Sequence, residues 1–114
     1  MKTKTLFEKI IDREIPSDIV YEDELCLCFK DITPQAPIHL LIVPKKVIPS
    51  LDDLQNEDQA LMGHIFIKIK EIAQKLDLKD GYRVVNNIKE YGGQSVYHLH
   101  FHILGGRQLN WPPG

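Results

Sequence analysis

The sequence predicts an α+β domain with a mainly antiparallel five-stranded sheet and helix cover on one face. Three observations carry that expectation. His98-Leu99-His100-Phe101-His102-Ile103-Leu104 alternates imidazole and apolar side chains, the period-two pattern of a half-buried strand. Leu61, Ile65, Ile69, Ile72 and Leu76 recur every three or four residues, the period of an amphipathic helix. Elsewhere, short apolar runs of strand length are separated by proline, glycine and acidic turns. The 114 residues suit a single domain over 1–114 with one continuous core, and 43% hydrophobic with 26% charged residues excludes a disordered chain.

Taken in order, Leu6, Phe7, Ile10 and Ile11 have helical spacing after Thr5 and stop before Ile15-Pro16, predicting a short N-terminal helix. Ile19 to Glu22 and Leu25 to Phe29 flank Asp23-Glu24 and predict a hairpin, although its turn has no glycine. Asp31-Ile32-Thr33-Pro34-Gln35-Ala36-Pro37 breaks regular structure. Ile38 to Val43, bounded by prolines and apolar except for His39, predicts a central strand. The long helix is expected over 57–75, with acids at its start as the helix dipole favours. Strands follow over 82–87 and 98–104, joined by a polar loop containing Gly92-Gly93-Gln94-Ser95. No internal repeat or low-complexity segment interrupts this order.

A net charge of −2 excludes a nucleic-acid polymer as an electrostatically bound partner, since such binding needs a basic stripe. The N-terminus has no apolar stretch of signal-peptide length, and no segment reaches membrane-span length, so a cytoplasmic protein with no membrane partner is expected. Cys26 and Cys28, two apart on one strand, are badly placed to bond each other.

Three of the five histidines lie within five residues, on the strand face opposite Leu99, Phe101 and Ile103. Clustered imidazoles repel when protonated, so their concentration points to a site. Two chemistries fit: metal ligation through His-x-His, and attack on phosphorus by one neutral imidazole with neighbours donating to the phosphoryl oxygens. Residues 91–114 hold no acid and no cysteine, while Gly92-Gly93-Gln94-Ser95 offers a small, hydroxyl- and amide-bearing loop for an anion. Phosphorus is favoured over a metal. His39 by itself reads equally as structural or catalytic, and Asp31 by itself reads as a turn former. His64 reads as a helix-surface residue and Lys45-Lys46 as a solvated pair.

The histidine stretch resembles the signature of the histidine triad, or HIT, superfamily. The flanking Gly92-Gly93-Gln94-Ser95-Val96-Tyr97, Gly105-Gly106-Arg107-Gln108 and Trp111-Pro112-Pro113-Gly114 are similar to its Hint branch, the purine nucleoside phosphoramidases. The likeness runs from Leu6-Phe7 to the C-terminus. It implies a HIT-like fold, dimerising into a ten-stranded sheet, and hydrolysis of the P–N bond of adenosine or guanosine 5'-monophosphoramidates. A covalent nucleotidyl-histidine on His100 would be the intermediate. It further implies that His102 and the backbone around Ser95 and Val96 bind phosphoryl oxygens and that Ser95 lies near the leaving amine. His39 would support the tautomer of the nucleophile, and His98 would orient the group. Asp31 would hold the ribose. Asn87 and Gly93 would belong to the polar part of the nucleotide site, and Leu6, Phe7, Ile10, Phe29, Ile32 and Leu41 to an apolar base pocket. The expected partners are a purine nucleoside monophosphate or phosphoramidate and a second copy of the chain; no cofactor and no metal are expected. The competing readings are a broader nucleotidyl hydrolase acting on adenylates or dinucleoside polyphosphates, a nucleotide-binding interaction scaffold with weak catalysis, and a metal-binding module.

Overall fold

A computed structural model describes residues 3–114. The chain forms α1 (Leu6–Ile11), β1 (Ile19–Glu22), β2 (Cys26–Lys30), β3 (Ile38–Pro44), α2 (Gln59–Lys75), β4 (Tyr82–Val85) and β5 (Phe101–Gly105). The five strands make one sheet in the order β1-β2-β3-β5-β4, antiparallel at every junction. The expected fold class is therefore observed.

Local chemistry explains each boundary. Thr5 caps α1 by accepting from the Glu8 amide at 3.0 Å, while the Glu8 carboxylate accepts from the Thr5 amide at 2.9 Å. The β1–β2 turn dispenses with glycine because the Asp23 carboxylate accepts from the amides of Leu25 and Cys26 at 2.8 and 2.9 Å. The Asp58 carboxylate accepts from the Gln55 amide at 2.9 Å and the Asp58 amide donates to the Gln55 carbonyl at 2.9 Å, closing the 3₁₀ turn Asn56–Asp58, so regular α-helix begins at Gln59 rather than Glu57. Gly92 sits so close to the Ile88 carbonyl that a Cβ there would lie 2.4 Å from its oxygen, so the tight turn before Gln94 needs glycine.

The central strands are buried on both faces, which divides the core in two. Cys26, Cys28, Leu40, Ile42, Leu99, Phe101 and Ile103 meet Ile65, Ile69 and Ile72 of α2 on one side. Leu27, Phe29, Leu41 and Val43 meet Phe7 and Ile10 of α1 on the other. Helix cover thus falls on both faces, where the sequence suggested one; the two-residue period of β2 and β3 hides a second apolar set that α1 buries. Burial of each such large side chain contributes about 1.5–3 kcal/mol.

Two strands are shorter than expected. β5 begins at Phe101, not His98, because the backbone before it is engaged elsewhere: the Leu99 amide donates to the Ile48 carbonyl at 2.7 Å and the His98 carbonyl accepts from the His100 ring. β4 ends at Val85 because Asn86 turns its side-chain amide to the His100 carbonyl, 2.9 Å away. The face alternation survives this, with Leu99, Phe101 and Ile103 in the α2-side core. The lysines expected to be solvated are also paired. Lys45 reaches Glu22 at 2.8 Å, and Lys46 reaches the buried Asp58 at 2.6 Å, tying the end of β3 to the start of α2. Among the described residues no helix is long and apolar enough to cross a membrane.

Candidate active site

The α1 side of the sheet gathers four histidines, and neighbouring hydrogen bonds determine the tautomer of each. His98, fully buried, has its Nε2 2.8 Å from the Pro44 carbonyl and its Nδ1 3.0 Å from the Thr5 hydroxyl. A carbonyl only accepts, so Nε2–H donates to it and Nδ1 accepts the hydroxyl proton. The same Thr5 oxygen accepts the helix-capping bond, so the N-cap of α1 and the first histidine share one atom.

His100 is held by the same logic in the opposite sense. Its Nδ1 lies 2.8 Å from the His98 carbonyl and must carry the proton, leaving an unprotonated lone pair on Nε2. The Phe7 ring stands edge-on to the imidazole, with centroids 4.9 Å apart. Burial pushes the His100 pKa down, favouring this neutral form.

A second chain sets His102. The Gln35 amide donates to His39 Nδ1 at 3.0 Å, so the His39 proton is on Nε2, from which it is given to His102 Nδ1 at 2.9 Å. His102 is then left with Nε2–H as a free donor. Burial, followed by the adjacent His100 and His39, lowers its pKa to about 4. His39 therefore fixes the tautomer of His102 and not that of His100, correcting the expectation drawn from sequence; the His98 carbonyl performs the latter task. The register explains why, since His39 pairs with Leu104 and Leu41 with His102, which places the two imidazoles on one face as diagonal neighbours. The His100 and His102 rings are 5.2 Å apart at 62°. A lone-pair nitrogen beside an N–H donor is the pair needed to attack phosphorus and hold its oxygens.

The fold-enforced neutrality of these rings has a consequence for stability. An unfolded chain protonates histidine near 6.5, whereas folded His102 resists protonation down to about 4. Between those values the unfolded state binds more protons, so stability rises with pH there and is lost as pH falls from 6.5 toward 4. Buried His98 and His100 act in the same direction. Thermal scans across this range should show Tm falling on acidification, with a shallower fall in His102→Gln; a Tm that rose on acidification would contradict the assignment of neutral rings.

The remaining predicted residues separate into those near the histidines and those committed elsewhere. Asp31 accepts from the Thr33 amide at 2.8 Å as a turn former, yet its other oxygen lies 3.4 Å from His39 Nε2. Asp31, His39 and His102 consequently bring one potential ligand atom each within 4.8 Å of one another. The acid-free surroundings read from residues 91–114 are thus a feature of the local sequence, and the Asp31 carboxylate arrives from a different part of the chain. Phe7, Ile10, Phe29 and Leu41 are close-packed in the α1-side core, with Val96 against it. Leu6 and Ile32, expected in the same apolar pocket, are exposed, Ile32 at 93%. Ser95 and Gly93 are exposed, and Asn87 is half-buried. Gln94, read as part of an anion-binding loop, is a buried brace: its amide donates to the Pro49 and Val96 carbonyls at 2.7 and 3.0 Å, and its oxygen accepts from the Lys89 amide at 2.8 Å. It shapes the loop that presents Ser95.

Sequence reasoning missed Thr5, Gln35 and Asn86. Thr5-x-x-Glu8 is legible as a helix cap, but nothing local reveals that its hydroxyl also serves His98. Asn86 adjoins the predicted Asn87 and braces the backbone of His100, with its Oδ1 buried and unbonded. Concavity would have misled as well: a cleft of about 550 Å³ lined by Asp77, Tyr82, Arg83, Arg107 and Leu109 contains none of the histidines.

Comparison with known proteins agrees with this geometry. The sequence pattern described as the HIT domain matches residues 12–109. An uncharacterised HIT-like protein of Synechococcus elongatus is 56% identical over 114 residues, covering all of both chains. The crystal structure of a HIT family hydrolase from Legionella pneumophila superposes with a TM-score of 0.95 at 51% identity, covering 97% of this chain and all of that one. That of a histidine triad nucleotide-binding protein from Candida albicans superposes at 0.81 with 30% identity, covering 96% and 83%. With its triad on one sheet face and its likeness extending over nearly every residue, the chain belongs to the HIT family.

Proposed function

We propose that the protein is a metal-independent hydrolase that cleaves the P–N bond of purine nucleoside 5'-monophosphoramidates through a nucleotidyl-histidine. The observation that carries this reading is the pairing of tautomers: His100 has its lone pair on Nε2 while His102 has its proton there. In the first step His100 Nε2 forms a bond to the α-phosphorus as the P–N bond breaks. The amine departs with a proton relayed from solvent through the Ser95 hydroxyl. In the second step water adds to phosphorus, the P–His100 bond breaks, and a nucleoside monophosphate leaves. His102 Nε2–H and the amides around Ser95 and Val96 donate to the nonbridging oxygens throughout. The Asp31 carboxylate accepts from the ribose hydroxyls, Asn87 and Gly93 complete the polar wall, and the base rests against Ile32 and Leu6, the two members of the expected pocket that are exposed.

The nucleotide-binding and hydrolase descriptions of the Candida and Legionella relatives support the substrate class and the reaction type. The site is expected to work in a homodimer joined through α2 and β4, with the cytoplasm as its compartment. Supporting the dimer, α2 exposes Phe66 and Ile67, and the edge strand β4 exposes Tyr82 and Val84. A sedimentation mass of one chain would overturn that part.

Mass spectrometry of enzyme quenched during turnover of adenosine 5'-phosphoramidate tests the mechanism. A nucleoside-monophosphate adduct on His100 is expected. Absence of the adduct under single-turnover conditions, or a specificity constant favouring dinucleoside polyphosphates, would replace this reading with the broader nucleotidyl hydrolase. A tight nucleotide complex without turnover of either substrate would leave the binding scaffold.

A further inference from the structure

We propose that Thr5 is a positioning residue for the triad: its hydroxyl locks the His98 ring and, through the peptide that follows, the proton on His100 Nδ1. The kinetic consequence rests on the hydrolase reading above, whereas the structural one rests on hydrogen bonds alone. Thr5 touches no reacting group in that mechanism, so it acts only through its neighbours. A hydroxyl offers one proton and two lone pairs. Here the oxygen accepts from the Glu8 amide at 3.0 Å, and the proton goes to His98 Nδ1, 3.0 Å away. Burial pushes the His98 pKa down, so Nδ1 carries no proton and needs a donor. Among the described residues Thr5 alone supplies one, and full burial of His98 keeps bulk water from replacing it.

The His98–Leu99 peptide transmits this to the nucleophile. Its carbonyl accepts from His100 Nδ1 at 2.8 Å and thereby leaves the lone pair on Nε2. A carbonyl inside a ladder is held by its partner strand, but β5 begins only at Phe101, where its pairing with β3 also ends. The peptide is held instead by the Leu99 amide on the Ile48 carbonyl, 2.7 Å away, and by the His98 ring, pinned at both nitrogens between Pro44 and Thr5. Without the hydroxyl, Nδ1 becomes a buried acceptor with no donor, a costly state that a movement of the ring relieves. As the ring turns it carries the peptide with it, and the His100 proton is then shared between the two nitrogens of that imidazole. Phe7, in the first turn of the helix that Thr5 caps, packs on His98 and His100 with centroids 5.9 and 4.9 Å away and couples the same displacement to both rings.

Nitrogen NMR of the histidine rings in the ligand-free chain, together with steady-state kinetics on adenosine 5'-phosphoramidate, tests this role. Thr5→Val keeps the shape of the side chain and removes the hydroxyl, Thr5→Ser keeps the hydroxyl, and Glu8→Ala weakens the helix cap while leaving the hydroxyl in place. In the unaltered chain His98 is expected as the Nε2–H tautomer and His100 as the Nδ1–H tautomer. Thr5→Val should show His100 in mixed tautomers, with kcat lower by about ten- to a hundredfold, the effect of a misplaced reacting group, and KM within about twofold. Thr5→Ser should restore both readouts, and Glu8→Ala should change neither.

An unchanged His100 tautomer in Thr5→Val, a Thr5→Ser chain no better than Thr5→Val, or a Glu8→Ala chain as slow as Thr5→Val would reduce Thr5 to a helix cap and overturn the proposal. Should Thr5→Val fail to fold, Thr5→Gly takes its place, since glycine is the least costly replacement for a capping hydroxyl. If the unaltered chain hydrolyses no phosphoramidate, the hydrolase reading fails by itself, and the ring spectra still decide the role of Thr5.

Discussion

Replacing His100 with alanine is expected to lower turnover of a nucleoside phosphoramidate by at least about 10⁴-fold, since the residue proposed to form the covalent bond is removed and its neighbours do not act independently of it. Nucleotide binding should persist, because the proposed contacts to ribose and phosphate come from Asp31, His102 and the Ser95 loop. The variant should also fold. His100 holds its ring through one hydrogen bond to the His98 carbonyl, and the smaller side chain leaves the Asn86 contact to the backbone oxygen in place. Steady-state rates with binding measured by calorimetry separate the two effects. A variant with near-normal kcat would show that His100 Nε2 is not the nucleophile, and one that binds no nucleotide would show that the ring itself is part of the recognition surface.

The second large effect is on stability and concerns the other half of the same stretch. Leu99 is fully buried between β3 and α2, in a core with Ile42, Ile65 and Ile103. Leu99→Ala removes three carbons and leaves a space that close-packed neighbours fill only in part, costing about 2–5 kcal/mol. For a chain of this size that is a fall in Tm on the order of 10 °C or more. Denaturant unfolding should show the midpoint falling with the slope unchanged, and Leu99→Met should lose far less because its volume is nearly conserved. A loss below about 1 kcal/mol would mean that the packing around residue 99 collapses readily, against the interdigitation expected of a core.

These two variants divide the histidine stretch as its alternation suggests, with chemistry on one face and packing on the other. That division was legible because a two-residue period survives in any extended chain, whether or not its backbone joins a ladder. It held across 98–104 even though β5 starts only at Phe101. The long helix, the hairpin and the central strand were legible for the same kind of reason, since period, proline placement and apolar runs are local properties. Boundaries were less so. Where Asn86 leaves β4 or Leu99 donates to Ile48 is decided by a partner distant in sequence.

The site was half-legible. His100 and His102 announced themselves by clustering, while His39, alone in an apolar strand, was ambiguous until register placed it diagonally across from His102. His64 looked like an ordinary surface residue because its partner Asp23 is 41 positions away. Asp31 read as a turn former and is one, but the fold also sets it beside His39.

By itself, then, the sequence determined the α+β class, the identity of the triad and the family, all of which depend on residue types at short, fixed spacing. Only the tertiary structure decided which nitrogen of each imidazole carries the proton. A neutral imidazole has two nearly equivalent tautomers, and the choice falls to whichever carbonyl, hydroxyl or amide lies within about 3 Å of each nitrogen. Here those partners are Pro44, Thr5, the His98 backbone, Gln35 and, for His102, the His39 imidazole, none of which the motif contains except His98 itself.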